Sequence, residues 1–348
     1  MPPAPARLFA SDNAAGAHPL VIEALVRANS GHALAYGQDE LTRQVKSQFN
    51  ELFDADVRTL FVFGGTGANI VALGAILKPA EAVVCTSRAH IAVDEAGAAE
   101  LILGAKLIDL PSPDGKLRPE QLRDLSGVID DEHHAQPGVV SITQPTELGV
   151  LYSADEIRLL CLTAHDMGML VHMDCARVAN ATAALGASPA ALRSFTINAG
   201  VDVLSFGCTK SGGVFGEAVV FLNSTLGHRS HYVRKQTTQL ASKMRFISAQ
   251  YNALLTNNLF IDLGVKANAA ARSLYDAVHD IRSLGLTQPP AVNSLFPTIS
   301  DPQKSQLQAW SFFWDWDVSQ RQVRWMTAWD IEPSDVETFV TGVKRLID

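Results

Sequence analysis

The 348-residue sequence predicts an α/β fold: a mainly parallel sheet with helices on both faces, followed by a smaller α+β domain. Three observations carry this. From about residue 59 to 222, short apolar runs alternate with helical patterns. Those runs are almost continuously apolar, as strands buried on both faces must be. After about residue 225 the texture changes to a long helix-favouring stretch and then a few isolated strand-like pieces.

Taken in order, the apolar runs at 60–63, 82–85, 106–110, 139–142, 170–173, 201–206 and 218–221 read as seven strands. Between them lie helical patterns such as 155–167, where Ile157, Leu160, Cys161 and Ala164 share one face. A helix-favouring segment runs from 229 to 284, followed by strands at 292–296, 310–316 and 323–329. The last element is an amphipathic helix striped by Val336, Phe339, Val340 and Val343, with Ser334 and Glu337 in the capping-box spacing. The expected division is a large α/β domain with an N-terminal arm over 1–250 and a small α+β domain over 251–348.

Composition narrows the function. A net charge of −8 without a basic cluster argues against a nucleic-acid surface. No apolar stretch approaches the roughly 18 residues that span a bilayer, and the stretch 1–7 lacks the core of a signal peptide. Cys85, Cys161, Cys175 and Cys208 form neither a C-x-x-C pair nor a metal spacing with histidine, so no metal is expected. Reduced thiols in a cytoplasmic protein are the expectation.

Several strand ends carry chemistry. Lys210 closes the run Val201 to Lys210, where an apolar strand enters a small-residue turn. Desolvation there lowers an amine's pKa and leaves it nucleophilic toward an aldehyde, although a lysine at a strand end can equally be a solvated surface residue. Gly64-Gly65-Thr66-Gly67 opens a helix and can cradle a phosphate, or simply make a tight turn. Asp174 and Arg177 follow the strand at 170–173; they suit a cationic ring nitrogen and a carboxylate or oxyanion, or pair with each other. His90 lies past the strand at 82–85, as a ring-stacking group or a structural histidine. Arg324 lies in an apolar strand, where it needs an anion unless it faces solvent. An amine, an acid for a pyridinium nitrogen and a phosphate cradle on one sheet are the handles that pyridoxal phosphate requires.

These residues fall into longer matches. Ser11-Asp12-Asn13, Tyr36-Gly37-Gln38-Asp39, Gly65-Thr66-Gly67-Ala68-Asn69, Ala89-His90-Ile91, Val171 to Arg177, Ser205 to Lys210 and Val323 to Trp329 occur in this order. With them the chain resembles the low-specificity L-threonine aldolases, fold-type I pyridoxal-phosphate enzymes, along nearly its whole length. The resemblance implies retro-aldol cleavage of L-threonine, L-allo-threonine or related L-3-hydroxy-α-amino acids to glycine and an aldehyde. It implies that Lys210 binds the cofactor's aldehyde, that Asp174 faces its ring nitrogen and Arg177 its phenolic oxygen, and that His90 stacks on the ring. Gly65, Thr66 and Gly67 would hold the phosphate; Ser11, Arg177 and Arg324 would hold the substrate. It also implies a homotetramer with shared sites, in which Lys235, Lys243 or Arg245 reaches a neighbour's phosphate. Many such aldolases carry a second active-site histidine in an Asn-Thr-His-Asn segment; here the stretch reads Ile142-Thr143-Gln144-Pro145-Thr146-Glu147. That variant resembles the bacterial branch with phenylserine aldolases, which prefer aromatic β-substituents. It leaves a water held by His90 as the expected base for the β-hydroxyl. A β-eliminating lyase on the same scaffold is the alternative activity.

Overall fold

The computed structural model describes residues 3–286 and 288–347; Met1 and Pro2 of the N-terminal stretch lie outside them. All seven expected strands are present: β1 Arg58–Val62, β2 Glu81–Thr86, β3 Lys106–Leu110, β4 Gln136–Thr143, β5 Leu170–Cys175, β6 Val203–Gly207 and β7 Glu217–Phe221. They form one sheet in the order β1-β7-β6-β5-β4-β2-β3. The block from β3 to β6 is parallel, and β7 runs antiparallel to both neighbours. β1 therefore points the same way as the parallel block, and its carboxyl end joins theirs along one edge.

Successive side chains of a strand point to opposite faces, which explains the continuous apolar runs. Phe61, Val84, Ala218 and Val220 enter the core on one face, while Leu60, Val62, Val83, Cys85, Val219 and Phe221 enter the core on the other. The helix expected at 155–167 is Ala154–Asp166, and Ser153 and Glu156 cap it reciprocally.

The C-terminal third departs from expectation. The helix-favouring stretch 229–284 holds three α-helices, Ser230–Gln236, Arg245–Leu255 and Leu259–Val278. Thr238, Asn257 and Asn258 take left-handed backbone angles at the breaks, a conformation asparagine tolerates well. The strand expected at 310–316 is only Trp314–Asp317 (β9), preceded by a helix at Asp301–Trp310. Leu307 is that helix's one buried residue, so no apolar stripe announced it. β8 (Ser294–Leu295) and β10 (Gln322–Met326) complete a small antiparallel sheet ordered β8-β10-β9. The closing helix is Pro333–Ile347, and its cap differs from the one expected. Asp335, not Glu337, reaches back: its carboxylate accepts the Glu332 N–H at 3.0 Å.

A second core lies under the small sheet and takes in Phe9, which stacks on Phe339 at 4.3 Å between ring centroids. Phe9 also accepts the Met326 N–H through its carbonyl, so the N-terminal arm is stitched to β10. Among the described residues no helix is long and apolar enough to cross a membrane.

Candidate active site

The carboxyl ends of the parallel strands converge on a cavity of about 310 Å3, lined in part by Ser11, His90, Glu147, Arg177, Lys210 and Arg324. Ligand sites of α/β sheets form at such edges. Lys210 sits on a single 3-10 turn after β6. That turn can approach β5 closely because Gly207 has no side chain; a Cβ there would overlap the Ala176 carbonyl. Burial lowers the pKa of the Lys210 amine, and the Arg177 charge lowers it further, against smaller opposing effects of Asp12 and Asp174. Both causes favour the neutral, nucleophilic amine.

Asp174, at the end of β5, is buried. One oxygen accepts the Ala176 N–H and the other accepts the Asn69 amide, each at 2.9 Å. The same amide nitrogen of Asn69 donates to Glu95 Oε1 at 2.9 Å, and Glu95 Oε1 also meets His90 Nδ1 at 2.8 Å. Two carboxylates on its nitrogen fix which way Asn69 points, so its oxygen accepts from Ser205 Oγ at 2.8 Å. A hydroxyl has one proton; with Ser205 donating to Asn69, His172 Nε2 must be the donor across 3.0 Å. His172 Nδ1 is then the acceptor from Ser141 Oγ at 2.9 Å. Burial pushes the His172 pKa down to about 4, so this ring is neutral near pH 7. A buried relay thus runs under the sheet edge, Ser141–His172–Ser205–Asn69, and branches to Asp174 and to Glu95 with His90.

His90 opens a short turn after β2. Its hydrogen bond to Glu95 raises the imidazole pKa against the opposing effect of burial. Arg177 donates from Nε and Nη2 to Asp12, at 2.6 and 3.0 Å, forming a bidentate pair. Burial alone would raise Asp12, but Arg177 and Lys210 hold its carboxyl below the ordinary range. Ser11 caps the turn carrying Asp12, accepting the Asn13 N–H at 3.2 Å, and lines the cavity. Arg324 lies over the Trp316 ring at 5.2 Å, and its buried Nε has no hydrogen-bond partner among the described residues. Burial and Arg177 bring its pKa down to about 10, still well above neutrality.

Gly65, Thr66 and Gly67 begin the helix Gly65–Ile76, whose N-terminus has no side-chain cap. A Cβ on Gly64 or Gly65 would meet nothing within 4 Å, so the space beside those N–H groups is open. Gly67 instead packs against the Gln239 carboxamide, whose Oε1 accepts the Phe63 N–H. Lys235 lies over the Tyr36 ring at 5.6 Å, and Arg245 donates to the Gly31 carbonyl.

Uncapped helix N–H groups, a buried carboxyl set on a fixed network and a destabilised ammonium are the donor set for a phosphorylated pyridine aldehyde. The orphaned Arg324 Nε adds a place for a carboxylate. The residues present therefore fit pyridoxal phosphate with an amino-acid substrate. A larger groove of about 910 Å3 lies between the N-terminal arm and the helices Leu259–Val278 and Pro333–Ile347. Its Arg7 pairs with Asp330 at 3.5 Å, and it contains neither Lys210 nor Asp174.

The sequence does not single out the partners: Asp12 and Asn69 lie inside the matched motifs, and Glu95 and Glu147 carry no signal of a role. Asn69 follows the glycine turn at helical spacing, which was a usable signal. Glu95 carried none, because a buried acid on an irregular turn has no periodicity.

The profile of the beta-eliminating lyase family matches residues 9–301. A low-specificity L-threonine aldolase of Pseudomonas aeruginosa is 38% identical over 97% of this chain and 97% of its own length. Another, from a Pseudomonas species, is 38% identical with the same coverage. Among solved structures, a threonine aldolase of Leishmania major superposes with a TM-score of 0.90 at 29% identity, covering 98% of this chain and 99% of that one. The serine palmitoyltransferase of Sphingomonas wittichii, 13% identical with a TM-score of 0.72 over 97% of this chain and 87% of that one, shares the fold alone. The chain belongs to the beta-eliminating lyase family and, within it, to the low-specificity L-threonine aldolases.

Proposed function

We propose that this protein cleaves L-threonine, L-allo-threonine and related L-3-hydroxy-α-amino acids to glycine and an aldehyde, with pyridoxal 5′-phosphate as cofactor. The observation that carries the proposal is Lys210: an amine with a lowered pKa in one cavity with Arg324, above the network of Asp174. When bound, the cofactor supplies an electron-withdrawing system conjugated to the substrate's Cα.

The chain's own residues do the rest. Lys210 would be the covalent anchor, and Gly65, Thr66 and Gly67 would hold the phosphate. Asp174, fixed by Asn69 and Ala176, would hold a proton at the ring nitrogen, and His90 would pack against the ring. Arg324, with Ser11 and Arg177, would grip the substrate carboxylate and so fix which bond at Cα is presented for cleavage. Orientation of this kind selects one bond among several and is worth several kcal/mol of barrier, about 7 in favourable intramolecular cases. The division at residue 250 is proposed as a functional one. The larger part supplies amine, acid and phosphate turn, and the smaller supplies Arg324 and the aromatic wall beside it.

That wall favours a second reading within the class. Trp314 and Trp316 line the cavity, and Phe312 meets Trp314 edge-on at 4.9 Å. Such a surface suits a phenyl β-substituent, as in phenylserine. Four buried free thiols fit a cytoplasmic protein. Exposed Leu20, Ile22 and Val26 on the helix Pro19–Ala28 give a homotetramer an apolar surface to bury. The test is an aldehyde-release assay across threonine, allo-threonine, phenylserine and serine. Acetaldehyde with glycine is the expected result from threonine; ammonia with a keto acid would replace the aldolase by a β-eliminating lyase.

A further inference from the structure

Retro-aldol cleavage requires a group that takes the β-hydroxyl proton, and the cavity holds a second acceptor besides His90. Nδ1 of His90 is committed to Glu95 at 2.8 Å, a bond that raises the imidazole pKa, and only Nε2 is left to accept a proton. Glu147 faces the same cavity from the loop after β4. Its Oε1 accepts both the His90 N–H and the Thr143 hydroxyl, each at 2.8 Å, which fixes the carboxyl. Its Oε2 is buried and has no hydrogen-bond partner among the described residues. An unpartnered acceptor on a fixed carboxyl, buried at a substrate cavity, is poorly explained as a structural device.

We propose that Glu147 Oε2 is the proton acceptor for the substrate's β-hydroxyl, and that this residue serves where other aldolases of the class carry a histidine. The proposal rests on the aldolase reading above and deepens it. In the step, the O–H bond breaks and its proton goes to Oε2. The O–H electron pair becomes the C=O bond of the aldehyde, the Cα–Cβ bond breaks, and its pair remains with Cα. Cα takes up one proton to give glycine, and Glu147 releases one, so the cycle closes with no net proton change. Burial raises the Glu147 pKa, and Asp174 adds to this, against bonds from its own backbone N–H, Thr143 and the His90 backbone N–H; a carboxylate of raised pKa is the stronger base. The charged and titratable groups around it are His90, Asp174, Arg177, Lys210, Cys85 and Tyr152.

The test compares wild-type and Glu147→Gln holoenzymes in two reactions. Threonine cleavage needs a β-hydroxyl base, whereas exchange of the glycine Cα proton in D2O, followed by proton NMR, needs only the cofactor and the groups that hold it. Glu147→Gln is expected to lose roughly a hundredfold or more in kcat for cleavage, the usual range for a general base. Its exchange rate and cofactor absorbance should stay within about twofold, and the acidic limb of kcat/KM should vanish. Cleavage at the wild-type rate, or cleavage and exchange lost together, overturns the proposal. If the variant does not fold, Glu147→Asp takes its place, with the same split expected. A wild-type enzyme that exchanges glycine but releases no aldehyde from threonine refutes the aldolase reading itself, which separates the two failures.

Discussion

At the residue scale, the site depends on pairs in which one partner sets the state of the other. Glu95 is the clearest case: its hydrogen bond is the largest influence on His90 and raises that imidazole's pKa against burial. Replacing Glu95 with Gln removes the charge and leaves the desolvation. The His90 pKa should then fall toward or below its ordinary value, read from the ring's C2 proton by NMR; an unmoved titration would show that Glu95 is not the cause. Lys210, Asp174 and Arg324 stand out in the sequence because each interrupts an apolar strand or its exit with a charge that demands an explanation. Their partners do not. Asp12 meets Arg177 from 165 positions away, and no local pattern encodes which distant acid completes a guanidinium pair.

At the scale of elements, strand exits do the positioning, and they are tightly built. Between β6 and the Lys210 turn, Gly207 lies against the Ala176 backbone so closely that a methyl group would overlap it. Backbone has no rotamer to give way, so Gly207→Ala should destabilise the protein by about 2 kcal/mol or more, or displace the turn. Chemical denaturation and the cofactor spectrum would read these two outcomes; a variant normal in both would show that the approach can relax freely. The Glu147 loop is held in a comparable way: the Gln144 side chain bonds both the N–H and the carbonyl of Tyr152. The seven strands could be read from sequence because burial on both faces makes them continuously apolar. The helix Asp301–Trp310 could not, since nine of its ten residues are not fully buried and the aromatics after it suggested a strand. The breaks at Thr238 and Asn257 likewise depend on single left-handed residues within a helix-favouring composition.

For the molecule as a whole, two buried groups oppose each other in their response to pH. Burial raises Glu217 from 4.5 to about 7, mitigated by the Cys208 N–H at 2.7 Å, so the folded state keeps a proton that the unfolded chain releases. Stability from this group falls as pH rises from 4.5 to 7, by roughly 3 kcal/mol. His172 is depressed from 6.5 to about 4 and acts in the other sense: the unfolded chain takes up a proton that the folded state refuses. Its contribution grows as pH rises from 4 to 6.5, by a similar amount. The two nearly cancel, and only a variant separates them. Glu217→Gln should gain about 3 kcal/mol on the wild type between pH 4.5 and pH 7.5 in urea unfolding; a difference independent of pH would falsify the assignment. The N-terminal arm joins the two cores of the molecule, with Phe9 in the smaller one and Asp12 bound to Arg177 at the end of β5 and to Asn293.

Arg324, with a pKa of about 10, holds a positive charge beside a buried Nε that has no hydrogen-bond partner among the described residues. A fixture of that kind does not discriminate finely among small anions. Acetate and formate, common buffer components, should therefore compete with the amino acid and raise its apparent KM while leaving kcat unchanged. Leucine in place of the arginine should remove that sensitivity, so the choice of buffer becomes a probe of the clamp.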